Sequence, residues 1–287
     1  MVFKRLLRHP RSLIAAGLLA AAGVTGYAQL DTWQRERIFS VEDTQRWWRE
    51  APEGTEIFDL ELNNGHTVRA WYWQQPATDA PAVLYLHGSR WNLNGSVFRM
   101  QGWIDMGFSV LAIDYRGFGE STRLLPSERS VYEDAVAALH ELARRQPDPA
   151  RRFIFGHSLG GAIAIDLAAR ASDVAVAGII VESSFTSIRG MLSTLEWGDF
   201  PGVGLFVTQS FASEHKLAAV TQPLLILHGT GDRVVPHTMS DQLYAAAVSV
   251  PPGMKRLVKI EGASHSGSVR RPEYEEAVRR FVERVRR

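Results

Sequence analysis

The chain is expected to fold as an α/β protein, with a mostly parallel, doubly wound sheet opened by an antiparallel hairpin. Three observations lead there. Six short apolar runs that do not alternate (82–86, 109–113, 152–155, 177–181, 224–227 and 256–260) read as strands buried on both faces. Segments of helical period (97–106, 131–144, 159–170, 238–247 and 273–285) stand between or after them. Ahead of them all, residues 56–62 and 67–74 alternate around Asn63-Asn64-Gly65, a hairpin turn signal.

Taken in order, the hairpin opens the sheet and each later strand is followed by a helix, the pattern of a doubly wound fold. The Pro-rich joints (Gln146-Pro147-Asp148-Pro149 and Pro251-Pro252) fall between elements and read as turns. Residues 183–222, after the sixth strand, form an insertion where a small lid is expected. Its apolar content (Phe185, Ile188, Met191, Leu192, Leu195, Trp197, Phe200, Leu205, Phe206 and Phe211) suits an acyl chain. The alternative is that these residues only pack a helix onto the sheet.

Composition bounds the function. With 287 residues, 45% apolar and 22% charged, the chain can bury a large core and is not expected to be disordered. There is no Cys, which excludes disulfides, thiolate catalysis, zinc fingers and iron–sulfur clusters. The formal charge of +1 argues against a nucleic-acid groove. That average conceals an asymmetry: the first 28 residues carry Lys4, Arg5, Arg8 and Arg11 and no acid. From Ser12 to Leu30 no residue is charged. A helix over that run would span roughly 28 Å, close to a bilayer's hydrocarbon thickness. Residues 1–30 therefore read as an uncleaved anchor, or as a signal cleaved after Gly26-Tyr27-Ala28. Either reading exports the remainder. Residues 31–55, with Trp33, Trp47 and Trp48, read as a linker helix, lying at the membrane surface or packed on the domain; residues 56–287 form the domain.

The chemistry lies on the carboxyl edge of the sheet. Gly156-His157-Ser158-Leu159-Gly160-Gly161 follows a strand and opens a helix, the context that a G-x-S-x-G nucleophile elbow requires. The chain must reverse sharply there, so Gly156 and Gly160 make room and Ser158 presents its hydroxyl. A hydroxyl needs a base. Of nine His residues, His265 stands in the loop after the last strand, on the same edge; His237 is its rival. The base needs a carboxylate, and Asp232 follows the preceding strand in a Gly-rich turn, with Glu182 the alternative acid. Oxyanion donors are expected from the backbone of Leu159 and of Ser89 in the loop after the third strand. Asp114 with Gly117 and Gly119 reads as a braced structural turn.

The set Leu86-His87-Gly88, Asp114 to Ser121, the Ser158 elbow, the Asp232 turn and His265 resembles the α/β-hydrolase family over nearly all of the chain after residue 56. Phe211-Ala212-Ser213-Glu214-His215-Lys216-Leu217 resembles its membrane-anchored branch, which includes lysophospholipid lipases and protein depalmitoylases. The resemblance implies a Ser–Asp–His ester or thioester hydrolase, with a lipid or small-molecule acyl ester as substrate and no metal or organic cofactor. Where that branch has a small, Asn/Ala/Gly-rich stretch, this chain has the bulky Arg90-Trp91-Asn92. A Ser at the elbow sets aside dehalogenase and epoxide-hydrolase chemistry, which use Asp there. Two other readings stay open: a peptidase with the same three residues, for which Glu196 and Asp199 offer an acidic cluster, and a silent membrane-bound binding module.

Overall fold

The computed structural model describes residues 10–41, 48–170, 173–195 and 202–286; the side chains of residues 10–16 and 203 also fall outside it. Eight strands form one sheet in the order β1-β2-β4-β3-β5-β6-β7-β8. They are β1 (Glu56–Glu61), β2 (Thr67–Trp73), β3 (Ala82–Leu86), β4 (Ser109–Ile113), β5 (Arg152–His157), β6 (Gly178–Glu182), β7 (Leu224–Gly229) and β8 (Lys255–Ile260). Strand β2 runs antiparallel to β1 and β4, and every pairing from β4 to β8 is parallel. The expected doubly wound sheet with its opening hairpin is the observed one.

Two apolar layers cover the sheet, and the strands supply both by alternation. In β3, Leu84 and Leu86 join a cluster with Val131, Leu139, Ile163 and Leu167 of two helices, α3 (Glu128–Arg145) and α4 (Leu159–Arg170). Val83 and Tyr85 face the other way, toward Met100 and Trp103 of α2 (Leu93–Asp105) and the layer that also holds Phe281 of the C-terminal helix (Pro272–Val285). Strand β3 is therefore buried at every position, which explains its unbroken apolar run. Strand β8 departs from the expectation of two buried faces. It is the sheet edge, partly buried, with Arg256 exposed. An edge strand that carries Lys and Arg is protected against pairing with another chain.

The N-terminal helix α1 runs without a break from Pro10 to Phe39, joining the uncharged run to the start of the polar segment. The expected linker helix stops there: Ser40 takes a left-handed φ of 44°, and residues 48–55 are not helical. The stop is tertiary. Phe39 is fully buried, edge-on to Phe118 and Phe211. Arg35 Nε donates to the Pro126 carbonyl at 2.7 Å, and Gln209 Nε2 donates to Asp31 Oδ1 at 2.7 Å. Among the described residues no helix is long and apolar enough to cross a membrane. The described part of the run is diluted by Gly23, Thr25, Gly26 and Gln29, so the expected span is not met there; Lys4, Arg5 and Arg8 lie outside the described residues.

The insertion between β6 and β7 contains α5 (Ile188–Leu192), a single 3-10 turn (Val203–Phe206) and α6 (Ser213–Leu217). Trp197 and Phe200 lie outside the described residues. Phe185 and Phe211 are buried in the core, whereas Leu205 and Phe206 are exposed. Hydrogen bonds from Gln34 to the Phe206 carbonyl and from Thr208 N to Gln34 tie this segment to α1.

His87, just past β3, is fully buried against Tyr115 and Phe118 and donates Nδ1–H to the Gly88 carbonyl at 2.7 Å. Burial disfavours its cation and lowers its pKa to about 4 from the usual 6.5. A neutral buried imidazole contributes stability that is complete above about pH 6.5 and lost as pH falls through about 4. Asp114, 3.5 Å from His87 and with its pKa raised to about 7 by burial, pulls the other way in both proteins, so the test is the difference. As pH falls across that window the urea midpoint of His87→Leu should rise relative to that of the wild type, and equal slopes would sink this account. A second test concerns the glycines. A Cβ on Gly160 would overlap the Leu86 carbonyl, whereas a Cβ on Gly262, at φ +64°, meets open space. Gly160→Ala should cost more than about 3 kcal/mol and Gly262→Ala about 1 kcal/mol, read by chemical denaturation.

Candidate active site

The turn from β5 into α4 is the tightest packing in the site. A Cβ on Gly156 would overlap the Gly160 carbonyl, and Gly160 itself lies against the end of β3. No side chain fits at either place, so the turn is made by two glycines with Ser158 at its apex. Ser158 takes φ +55°, a left-handed conformation that costs a non-glycine residue energy and that the packing around it enforces. Its N–H donates to the Glu182 carbonyl at 2.9 Å and its carbonyl accepts from Ser184 Oγ at 2.9 Å, so the strained turn is held from β6.

His265 and Asp232 come from two loops at the same edge. His265 Nδ1 and Asp232 Oδ2 are 2.8 Å apart, and the Asp232 side chain is inaccessible to solvent. His228, the next-to-last residue of β7, places Nε2 at 3.1 Å from the same oxygen, while Val234 N and Val235 N donate to Oδ1 at 2.8 and 2.9 Å. Burial opposes the charge on Asp232, but the hydrogen bonds from His228, His265 and the Val235 N–H outweigh it, so the carboxyl is held well below the usual carboxylate range. With Nδ1–H engaged by a carboxylate, the His265 ring has Nε2 left as its proton acceptor.

Ser158 and His265 line one cavity of about 760 Å³. Among the described residues no hydrogen bond joins them, the looser geometry common before substrate binds. Ser89 also lines the cavity; Leu159 begins α4 directly after Ser158, with its side chain in the core. Neither backbone N–H donates to a protein acceptor among the described residues, so both remain available as donors.

The alternatives weighed in the sequence are placed elsewhere. Both Glu182 oxygens lie 2.7 Å from Arg99 Nη1, and the pair is buried. His237 contacts Lys259 through its ring and its carbonyl and does not line the cavity. His9 lies outside the described residues. None of the described residues 183–222 lines the cavity, so the acyl-lining role expected of the insertion is not what its described part does. Of its described aromatic residues, Phe185 and Phe211 are spent on the core, Phe211 edge-on to Phe39 of α1, and Phe206 is exposed. Asp114 accepts from Leu93 N at 2.8 Å and braces the start of α2, and Gly119 approaches its carboxyl group more closely than any side chain would permit.

Several site residues were not singled out from the sequence. His228 sits four residues before Asp232, a spacing that only the turn's geometry makes meaningful. His157 is buried, and burial together with the positive Arg99 holds its ring neutral, so Nε2–H donates to the His265 carbonyl at 3.0 Å and fixes the base's loop. Arg37 and Ser40 from the end of α1, Arg99 from α2, and Arg233 with Val234 beyond β7 also line the cavity. Among the described residues the lining holds four arginines and no Asp or Glu. Arg99 carried one sequence signal: it interrupts an otherwise apolar face formed by Val97, Met100 and Ile104.

This arrangement supplies what acyl transfer needs: a strained hydroxyl, an imidazole held by a carboxylate, and free N–H donors. Comparison with known proteins agrees with the fold. The family model described as serine aminopeptidase, S33, matches residues 79–213. An uncharacterized protein of Mycobacterium tuberculosis is 31% identical over 219 residues, covering 75% of this chain and 73% of its own. The lysophosphatidylserine lipase ABHD12 of Xenopus tropicalis is 31% identical over 260 residues, covering 78% of this chain and 66% of its own. An esterase of Pyrococcus furiosus has a similar fold, with a TM-score of 0.68 at 17% identity over 85% of this chain and 97% of its own. On this evidence the chain belongs to the α/β-hydrolase family, as a serine hydrolase.

Proposed function

We propose that the protein hydrolyses carboxylic esters or thioesters of acyl-chain substrates through an acyl-enzyme on Ser158. The observation that supports this most is the 2.8 Å His265–Asp232 contact opening onto the same cavity as a left-handed Ser158. Ser158 Oγ attacks the ester carbonyl and passes its proton to His265 Nε2. The N–H groups of Leu159 and Ser89 receive the negative charge that develops on the carbonyl oxygen. His265 then protonates the departing alcohol or thiol. Water, deprotonated by His265, attacks the acyl-enzyme and releases the acid, restoring Ser158. Asp232 stays ionised throughout, holding the tautomer and stabilising the imidazolium.

The description of the family model raises a second reading, an aminopeptidase with the same three residues. Such an enzyme needs a carboxylate to receive the substrate's α-ammonium. Among the described residues the cavity lining has none, and its arginines would repel that charge. Glu196 and Asp199, the acids considered for that role, lie outside the described residues. The ester reading is the better supported, and the lipase among the relatives agrees with it.

A fluorophosphonate should label folded protein at Ser158; absence of that adduct by peptide mass spectrometry would overturn the reading. Ser158→Ala should lower ester hydrolysis by at least about three orders of magnitude, and Asp232→Asn by about 10⁴, because the imidazole then loses its tautomer. Acyl esters should be cleaved far faster than aminoacyl anilides, and the reverse ranking would favour the peptidase. Export with α1 as a tether belongs to the same proposal and rests on the four cations before the uncharged run. Carbonate washing of membranes checks it, since release of the full chain into the wash would exclude a tether.

A further inference from the structure

We propose that the mouth of the Ser158 cavity is a subsite for an anionic group, a phosphate or a carboxylate, carried by the ester substrate, and that Arg37, Arg90 and Arg233 form it. The proposal rests on the ester-hydrolase reading and deepens it. The three side chains come from separate elements: the last turn of α1, the loop after β3 and the loop after β7. All three are exposed and all three line the cavity. None has a carboxylate partner among the described residues; Arg37 lies over the Trp33 ring, its guanidinium carbon 6.0 Å from the ring centre.

Most of the other arginines whose surroundings are described are paired: Arg35 with Asp31, Arg69 with Asp59, Arg116 with Asp134, Arg145 with Glu56. Two acids that touch residues of the lining are already committed. Asp232 is held by His228 and His265, and Glu182 by Arg99. Three guanidinium groups around one opening repel each other and make it attractive to an anion. Their planar forks match phosphate and carboxylate oxygens two at a time.

Two further features mark this as a built site. Arg99, 2% exposed and lining the same cavity, has Nη2 buried without a hydrogen-bond partner among the described residues, so the cavity also contains unused cationic donor capacity. Arg90 takes φ +75°, where glycine would be relaxed, and its N–H is fixed to the Phe39 carbonyl at 2.9 Å. A costly backbone conformation thus holds a charged side chain at the opening.

The test is a matched pair: butyryl glycerol and butyryl glycerol phosphate, which share the ester and differ by one anion. Wild-type kcat/KM should favour the phosphate by about ten-fold or more. Arg37→Gln, Arg90→Gln and Arg233→Gln combined should bring the ratio near one, and Lys at the three positions should restore part of it. Arg144→Gln, on the opposite edge of the sheet, should keep the wild-type ratio and so control for net charge. A wild-type ratio of one or less, or an unchanged ratio in the triple variant, overturns the subsite.

The same pair with oleoyl chains in phosphatidylcholine vesicles separates the sources. Preference in both settings assigns recognition to the phosphate alone, and preference only in vesicles assigns it to a lipid headgroup. A binding arm needs no turnover: calorimetry of Ser158→Ala protein with the ether analogue hexyl glycerol phosphate. Binding there that the triple variant weakens supports the subsite, and equal binding overturns it. The hydrolase reading fails separately, through absent fluorophosphonate labelling.

Discussion

The contact between Gly160 and the end of β3 is the constraint on which the site depends. Two adjacent parallel strands, β3 and β5, end at the same level, and the chain leaving β5 must turn into a helix without a side chain between them. That turn forces Ser158 into the left-handed region. It also brings Gly88 to within 3.3 Å, counted from a Cβ it does not have, of Ser158 Cβ. Ser158 and the loop that carries Ser89 are therefore neighbours because two backbones touch. The base and its acid arrive by a different route, on loops after β7 and β8, and the His157–His265 hydrogen bond ties the two halves together.

The parallel strands were legible because burial on both faces leaves an unmistakable apolar run. The five strands from β3 to β7 are buried at every position. Strand β8 looked similar but is an edge, and its Lys and Arg residues were the available sign. Ser158, His265 and Asp232 could be proposed from the sequence because each lies in a short motif at a strand's end. The arginine-lined opening could not, because its members lie at residues 37, 90, 99 and 233 and no local pattern links them. The bonds of His228 to Asp232 and of His157 to the His265 loop could not be read there either, because each joins residues that only the fold brings together in this geometry.

The insertion shows where apolar content misleads. Counted along the sequence, its aromatic residues suggested a cover for an acyl chain. Phe211 instead packs against Phe39, Tyr132 and Phe185, filling the gap between α1 and the domain. Composition alone does not distinguish a side chain that waits for substrate from one that already has a partner. The charge count misled in the same way: a net of +1 says nothing about a cavity whose described lining gathers four cations and no acid.

The bond from Arg90 N to the Phe39 carbonyl makes the N-terminal helix part of the enzyme's working surface. Phe39 is wedged into the core one residue before the chain turns, so α1 is clamped at one end and leaves the body at the other. Mechanically this is a lever whose short arm is the loop beside Ser158. Through that bond the position of the helix end fixes the position of Arg90. The element that resembled a mere attachment is thus wired to the place where the ester would be cut.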